Sequence, residues 1–254
     1  MSVAVATAQY GRVAGMALPL IMAPVTIISA LSVVLIPDLA ELASKGDYAE
    51  IRAKLRTALL FAAIVASAFF AAYVPLGREL GKFFFGDEEA GKLVSYAAVI
   101  IFPLALGNIT TPVLNSLGME KYSFAGYICG LVCSLPCIFF LPQVIGIYAA
   151  AVASGVGFAV TAAVNSVFLI RRLGRPQGLG KIFGVCSFSV PLAVLGLFLT
   201  NLLSPYLGNT VTIILIAAVM FAFFAVFVTV FGIVDVRAFL SMVLPRRQRA
   251  RTRA

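Results

Sequence analysis

The sequence predicts an all-α polytopic membrane protein with seven transmembrane helices. Of its 254 residues, 62% are hydrophobic and only 11% are charged, whereas a soluble domain is typically about 45–50% apolar and about 25% charged. The charged residues fall in short clusters that separate long uncharged runs. Each run is long enough for one or two membrane-spanning helices, which need about 20 residues each. The net charge of +9 lies in these clusters, which is typical of loops next to a membrane and argues against a nucleic-acid partner.

The charges and turn residues place the spans along the chain. Charges bound the first three runs, and the two longer runs are divided at "LPQVIG" (141–146) and "SPYLGNT" (204–210), whose Pro and Gly favour turns. We expect a transmembrane bundle in residues 1–175, two additional helices in 176–236 and a basic cytoplasmic tail in 237–254. The expected spans are 13–37, 57–77, 93–118, 122–141 and 146–170 in the bundle, then 182–203 and 211–234.

The basic residues predict the orientation of these spans. Fifteen of the 19 lie on one side, in alternate loops and in the tail, and only Arg12, Arg78, Lys82 and Lys92 lie on the other. The positive-inside rule assigns the first side to the cytoplasm. We therefore expect a multi-pass protein of a bacterial cytoplasmic membrane, with the C-terminus cytoplasmic and the N-terminus extracytoplasmic. An N-terminus outside is more natural if an odd number of further spans precedes it.

The stretch after the first span, "ELASKGDYAEIRAKLRTAL", predicts an amphipathic helix. Gly46 can end the preceding helix, Asp47 can cap the next one, and Glu50 stands at the third position of a capping box. We expect this helix to lie along the cytoplasmic surface of the membrane before the second span begins. Contact with lipid head groups is its functional alternative. Its basic side chains are Arg52, Lys54 and Arg56.

The sequence gives little indication of chemistry. Cys129, Cys133 and Cys137 share one helical face, and Cys186 also lies in an apolar run. Since the chain contains no histidine and no carboxylate lies near these thiols, we interpret them as packing residues and expect no metal site. Without histidine, catalytic triads also lack a member. We expect neither a cofactor nor enzymatic activity.

Prolines and small polar residues inside the spans are the candidate functional groups. Pro19, Pro24, Pro103 and Pro112 each remove a helical hydrogen bond, and in a membrane the freed polar groups must be satisfied by protein or by a watery cavity. The polar candidates are Asn108, Thr111 and Asn115 near one face of the third span, and Asn165 in the fifth. They either join helices by hydrogen bonds or line a cavity and touch sugar hydroxyls or phosphate. Both interpretations stay open here.

The residues also carry a resemblance to a known family. The stretch "YGRVAGMALPLIMAPVTIISALSVVLIPDLAELASKGDYAEIRAKLRTAL", followed by "VLNSLGMEKYSF" and "FFLPQVIGIYAAAVAS", resembles the second half of stage V sporulation protein B-like transporters and the related lipid II flippases. These belong to the multidrug/oligosaccharidyl-lipid/polysaccharide exporter superfamily. The resemblance covers nearly the whole chain and weakens after about residue 175.

The resemblance implies a fold, a substrate and a partner. The chain would correspond to spans eight to fourteen of a fourteen-helix MATE-like exporter, namely its C-terminal lobe plus two extra helices, with seven further helices missing as a partner. Such proteins are thought to move undecaprenyl-linked oligosaccharides across the membrane for cell-wall or polysaccharide biosynthesis. Arg12 lies roughly where related flippases have a cavity arginine, so the expected substrate contacts are Arg12, Asn108, Thr111, Asn115 and Asn165. Two alternatives are a cation-coupled drug exporter of the same superfamily and a membrane scaffold subunit that transports nothing.

Overall fold

The computed structural model of the protein describes residues 3–174 and 178–233, with side chains from residue 7 onwards. These residues form helices and no strands. The helices are α1 (Val3–Gly11), α2 (Leu18–Ser44), α3 (Tyr48–Phe85), α4 (Glu88–Ala97), α5 (Ile101–Ser116), α6 (Glu120–Phe140), α7 (Pro142–Ile145), α8 (Tyr148–Leu173), α9 (Leu179–Leu203) and α10 (Asn209–Val230).

Seven helices in this part of the chain are long and apolar enough to cross a membrane. They are Thr7–Ser44, Tyr48–Phe85, Glu88–Ser116, Glu120–Phe140, Tyr148–Leu173, Leu179–Leu203 and Asn209–Val230. The prediction of an all-α polytopic membrane protein with seven spans is thereby confirmed. The end of the last predicted span, residue 234, and the basic tail 237–254 lie outside the described residues.

Helix α3 differs from its prediction. The expected surface helix and the second span form one continuous helix, Tyr48–Phe85, of 38 residues. At 1.5 Å per residue it is about 57 Å long, against about 30 Å for the hydrocarbon core of a bilayer. Asp47 caps it as expected, since its side chain accepts a hydrogen bond from the Glu50 N–H at 3.1 Å. No break therefore separates the basic first turns of α3 from its apolar middle.

The long helix α3 takes part in two hydrophobic cores. On one side its residues pack with α2, α4, α5 and α8 around fully buried side chains such as Ile21, Ile28 and Ile101. On the other side Ala71 and Leu76 pack with α9 and α10. The two additional helices therefore join the first five spans through α3.

Glycines allow two helix pairs to approach closely. A Cβ atom at Gly81 of α3 would lie 2.4 Å from the Cα atom of Gly91 in α4, and one at Gly130 of α6 would lie 2.5 Å from the Gly157 carbonyl oxygen in α8. Real Cβ atoms do not come this close, so only glycine permits these spacings. Such contacts between small residues are typical of helix packing in membranes, where van der Waals contact replaces the hydrophobic driving force.

The connections between the helices lie at two ends of the bundle. The basic end contains the connections α2–α3, α5–α6 and α8–α9, near residues 45–47, 117–119 and 174. The opposite end contains the connections α3–α4, α6–α8 and α9–α10, near residues 86–87, 141–147 and 204–208.

Candidate functional site

Two of the predicted kink prolines follow breaks in the α-helical hydrogen-bond pattern. Pro19 comes just after a π-helical turn, Arg12–Ala17, and Pro103 comes just after a 3₁₀ turn, Ala98–Ile100. Proline lacks the N–H group, and its ring collides with the carbonyl four residues earlier. A locally wider or tighter turn relieves that collision and is a recognised cause of helix bending.

Pro24 lies inside a continuous helix, α2, and frees the carbonyl of Leu20, four residues earlier. The hydroxyl of Tyr73 on α3 donates to this carbonyl oxygen at 2.8 Å. A side chain of the neighbouring helix thus replaces the hydrogen bond that proline removes. Without it, a carbonyl among apolar groups would stay unpaired, which is costly in lipid.

Pro112 in α5 has the same arrangement. It frees the carbonyl of Asn108, and Ser32 on α2 donates its hydroxyl to that oxygen at 2.7 Å. The Asn108 side chain accepts from the Ser29 hydroxyl at 2.9 Å and donates to the Leu104 carbonyl at 2.9 Å. Asn108 therefore ties α5 to α2 through both its backbone and its side chain.

The other predicted polar contacts reach different neighbours. Asn165, fully buried on α8, donates its Nδ2 to the Thr111 hydroxyl at 2.8 Å. Asn115 accepts from the Ser123 hydroxyl of α6 at 2.8 Å. Of the five expected substrate residues, the structure brings only Thr111 and Asn165 together. Their hydrogen bonds join helices, and a contact of any of the five with substrate stays a prediction.

Arg12 is held at the opposite end of the bundle. Its Nε donates to Asp87 Oδ2 at 2.6 Å, while Oδ1 of Asp87 accepts from the N–H groups of Glu89 and Ala90 and so caps α4. Burial by itself would raise the pKa of Asp87, but the hydrogen bond from Arg12 and those from the backbone lower it below its ordinary value. The Arg12 guanidinium thus links the start of the first span to the α3–α4 connection.

A cavity of about 580 Å³ lies between α3, α5, α8 and α9. Alanines of two helices, α3 and α8, form much of its lining. Aromatic and aliphatic residues complete its wall, among them Phe102 and Phe183. The lining alanines are Ala62, Ala63 and Ala66 on α3, and Ala159, Ala162 and Ala163 on α8.

Only a few polar groups line this cavity. Thr110, Ser166 and Cys186 contribute small ones, and Arg52 lies at the basic end, beside Leu173. The cavity is therefore a largely apolar pocket, open at the surface where Phe183 is 68% exposed, with one cation at its edge.

Arg52 at this edge is held by one hydrogen bond, and a second arginine, Arg56, lies close by. Arg52 donates its Nη1 to the Leu173 carbonyl at 3.0 Å, at the C-terminus of α8, where a cation is favoured by the helix dipole. Arg56, one turn further along α3, packs on Gly178, which has a φ of +83°. A Cβ atom at Gly178 would lie 2.7 Å from Arg56 Nε; the arginine side chain could move away, so it is the backbone conformation that requires glycine here.

The ion pairs are distributed unequally between the two ends. At the opposite end, each basic residue that the structure describes lies within 4.0 Å of a carboxylate: Arg12, Arg78, Lys82 and Lys92. At the basic end, Lys45 pairs with Glu41 and Lys54 with Asp38. The remaining basic residues described there have no ion-pair partner among residues 3–174 and 178–233, and they are Arg52, Arg56, Lys121, Arg171, Arg172 and Lys181. Positive charge is therefore left uncompensated at the basic end, and one of these residues, Arg52, lies at the edge of the cavity.

Comparison of the chain with protein-family models, with curated proteins and with solved structures gave no match. The function of the site is accordingly argued from its geometry and charge.

Sequence reasoning missed the cavity. Its alanines have the same spacing as alanines that pack helices together, so nothing in the sequence separates an empty space from a tight contact. The i, i+4 spacing of Arg52 and Arg56 was visible as one face of an amphipathic helix, but the surface that they meet belongs to α8 and to the residues just before α9.

Proposed function

We propose that this chain is one half of a transporter that moves lipid-linked oligosaccharides across a bacterial cytoplasmic membrane, with its basic end towards the cytoplasm. The observation that carries the proposal is the apolar cavity between α3, α5, α8 and α9, with Arg52 at its edge. This volume falls in the range of about 300–1,000 Å³ that is typical of ligand sites. We assign it to part of the polyprenyl tail of the substrate.

The lining of the cavity favours a hydrocarbon over a sugar. Sugar hydroxyls need hydrogen-bonding partners when they leave water. The hydroxyls of Thr110 and Ser166 are too few to supply partners for an oligosaccharide. An apolar chain needs none. In this proposal the sugar is handled where the chain meets its missing partner, because transporters of this kind form substrate sites between repeats or lobes.

The charge of the lining also separates the proposal from a cation-coupled drug exporter. An intramembrane carboxylate would be expected for cation coupling, and no Asp or Glu lines the cavity among the described residues. The edge carries an arginine instead, which suits an anionic amphiphile better than a cationic drug.

Cross-linking with a polyprenyl-phosphate sugar that carries a photoreactive group in its tail tests the assignment. We expect labelled peptides from α3, α5, α8 and α9, and a several-fold loss of label in Ala163→Phe, which places a ring inside the cavity. Val152→Phe is the matched control, because Val152 is 41% exposed on the same helix, lies about two turns before the first lining residue of α8, Ala159, and does not line the cavity. Equal labelling of both variants would refute the tail assignment.

Transport itself is tested in proteoliposomes. We expect no flipping of a fluorescent lipid-linked sugar by this chain alone, and flipping when an N-terminal half is supplied. Flipping by the purified monomer would refute the half-transporter proposal. Absence of flipping with the partner present would favour a scaffold, and arginine-independent export of a cationic dye would favour a drug exporter.

A further inference from the structure

We infer that Arg52 and Arg56 form a binding site for the phosphate head group of an anionic lipid at the basic end of the cavity. The ligand class is an amphiphile with a phosphate ester and at least one long apolar chain. A polyprenyl phosphate and an anionic phospholipid share this chemistry. The inference rests on the proposed function in one respect only, namely that a hydrocarbon chain occupies the cavity.

The geometry of the two arginines supports a head-group site. They lie four residues apart on α3, so their side chains extend from the same helix face. Both reach the region where α8 ends and α9 begins, Arg52 at Leu173 and Arg56 at Gly178. Leu173 and Arg52 both line the cavity. Arg56 does not line the cavity itself, but its neighbour Gly178 precedes Leu179, which does, so a phosphate between the arginines would lie beside the cavity.

The hydrogen-bonding capacity of the arginines is mostly unused. A guanidinium has five N–H donors, and the structure shows one hydrogen bond from Arg52, to the Leu173 carbonyl. Neither arginine has a carboxylate partner among the residues described. Guanidinium groups suit phosphate because their fork of donors matches two of its oxygens. One donor fixes the Arg52 side chain, and the others stay available to a ligand.

The other basic residues of α3 show that this lack of partners is local. Lys54 lies between the two arginines in the sequence, but it points to α2 and pairs with Asp38. Near the other end of the same helix, Arg78 and Lys82 both pair with Glu88. On α3, therefore, Lys54, Arg78 and Lys82 are compensated by carboxylates, and Arg52 and Arg56 are not.

Lys121 provides a matched control. It lies on α6 at the same end of the bundle, is exposed and has no ion-pair partner among the described residues. It does not line the cavity. Lys121→Gln therefore removes the same charge from the same membrane surface without touching the inferred site.

Native mass spectrometry of the purified chain with added lipids tests the inference. The probes are undecaprenyl phosphate, dioleoyl phosphatidylglycerol and dioleoyl phosphatidylcholine, the last two having equal chains and different net charge. We expect the wild type to prefer the anionic lipids. Arg52→Gln and Arg56→Gln should each weaken anionic lipid binding about tenfold, as expected when a charge-assisted hydrogen bond to the phosphate is lost, and Lys121→Gln, which removes no such bond, should not change it.

Further variants keep the outcome interpretable. Arg52→Lys preserves the charge but not the fork of donors, so it should bind anionic lipid more strongly than Arg52→Gln and less strongly than the wild type, which controls for misfolding of Arg52→Gln. If only the binding of undecaprenyl phosphate depends on the arginines, the ligand of the site is the carrier lipid. If the binding of phosphatidylglycerol depends on the arginines to the same extent, the ligand is a membrane phospholipid. Both results support the site. Wild-type binding by the double Gln variant, or an equal loss in Lys121→Gln, would overturn it. If tail cross-linking fails while this arginine dependence persists, the tail assignment fails and the head-group site stands.

Discussion

The hydrogen bond from Tyr73 to the Leu20 carbonyl allows a direct test of how α2 tolerates Pro24. If the Tyr73 hydroxyl replaces the bond that Pro24 removes, Tyr73→Phe should be costly only when residue 24 is proline. In a Pro24→Ala background the alanine supplies a backbone N–H that can donate to Leu20, so the loss of the hydroxyl leaves no unpaired carbonyl. The two positions should therefore couple in a double-mutant cycle.

The magnitude follows from the environment of the bond. The donor–acceptor distance is 2.8 Å and Tyr73 is 7% exposed, so water does not substitute for the hydroxyl. Interhelical hydrogen bonds in membranes average about 0.6 kcal/mol with a maximum of about 1.7, and an unpaired buried carbonyl costs about 1–3 kcal/mol. We expect Tyr73→Phe to lower the free energy of unfolding by about 1–1.5 kcal/mol in the presence of Pro24, and by less than about 0.5 kcal/mol in the Pro24→Ala background.

Equilibrium unfolding in bicelles, driven by added SDS, measures the four free energies. Tyr96→Phe is the control, since Tyr96 is 70% exposed and its substitution should change stability by no more than about 0.5 kcal/mol. An equal cost of Tyr73→Phe in both backgrounds would show that the hydroxyl acts through packing rather than through the carbonyl that proline frees.

Three further predictions address packing, pH and orientation. Gly81→Ala should destabilise the protein by about 1–3 kcal/mol, because its Cβ would lie 2.4 Å from the backbone of α4, whereas Gly107→Ala meets no atom within 4 Å and should leave the thermal midpoint nearly unchanged. The pKa of Asp87 is lowered in the folded protein, so its ionised form stabilises the fold at pH values above its unfolded pKa of about 4, and this stabilisation is lost as the pH falls through the folded pKa. Asp87→Asn should therefore remove the part of the unfolding free energy that depends on acid pH. At pH 7 the variant should be less stable by under about 1 kcal/mol. A cysteine at exposed Tyr206, at the opposite end, should react with an impermeant maleimide in intact cells, and one at Lys121 only after permeabilisation; the reverse pattern would contradict the proposed orientation.

Parts of the candidate site could be inferred from the sequence and parts could not. The sequence identified Pro24, Asn108 and Asn165 as residues whose polar groups need partners within the membrane, because lipid supplies none. It could not say which partners they find. Tyr73 is 53 positions from Leu20, and Asn165 is 54 from Thr111, so these pairs exist only once the helices are packed.

The sequence by itself determined the class of the protein and the number of its spans. Uncharged runs of sufficient length can be buried only in lipid, and the charges between them mark where each run leaves it. The same charges did not mark where each helix ends, since a helix satisfies its own backbone on both sides of the membrane surface; α3 therefore continues through Arg52 and Arg56 instead of breaking there.

Only the tertiary structure decided where empty space and unpaired charge occur together. Ala62 and Ala163 could have been in tight contact, as Gly81 and Gly91 are. Instead both line the cavity between α3, α5, α8 and α9. The space left between two helices depends on which of their faces meet. The spacing of residues along one helix does not determine which face of another helix it will meet.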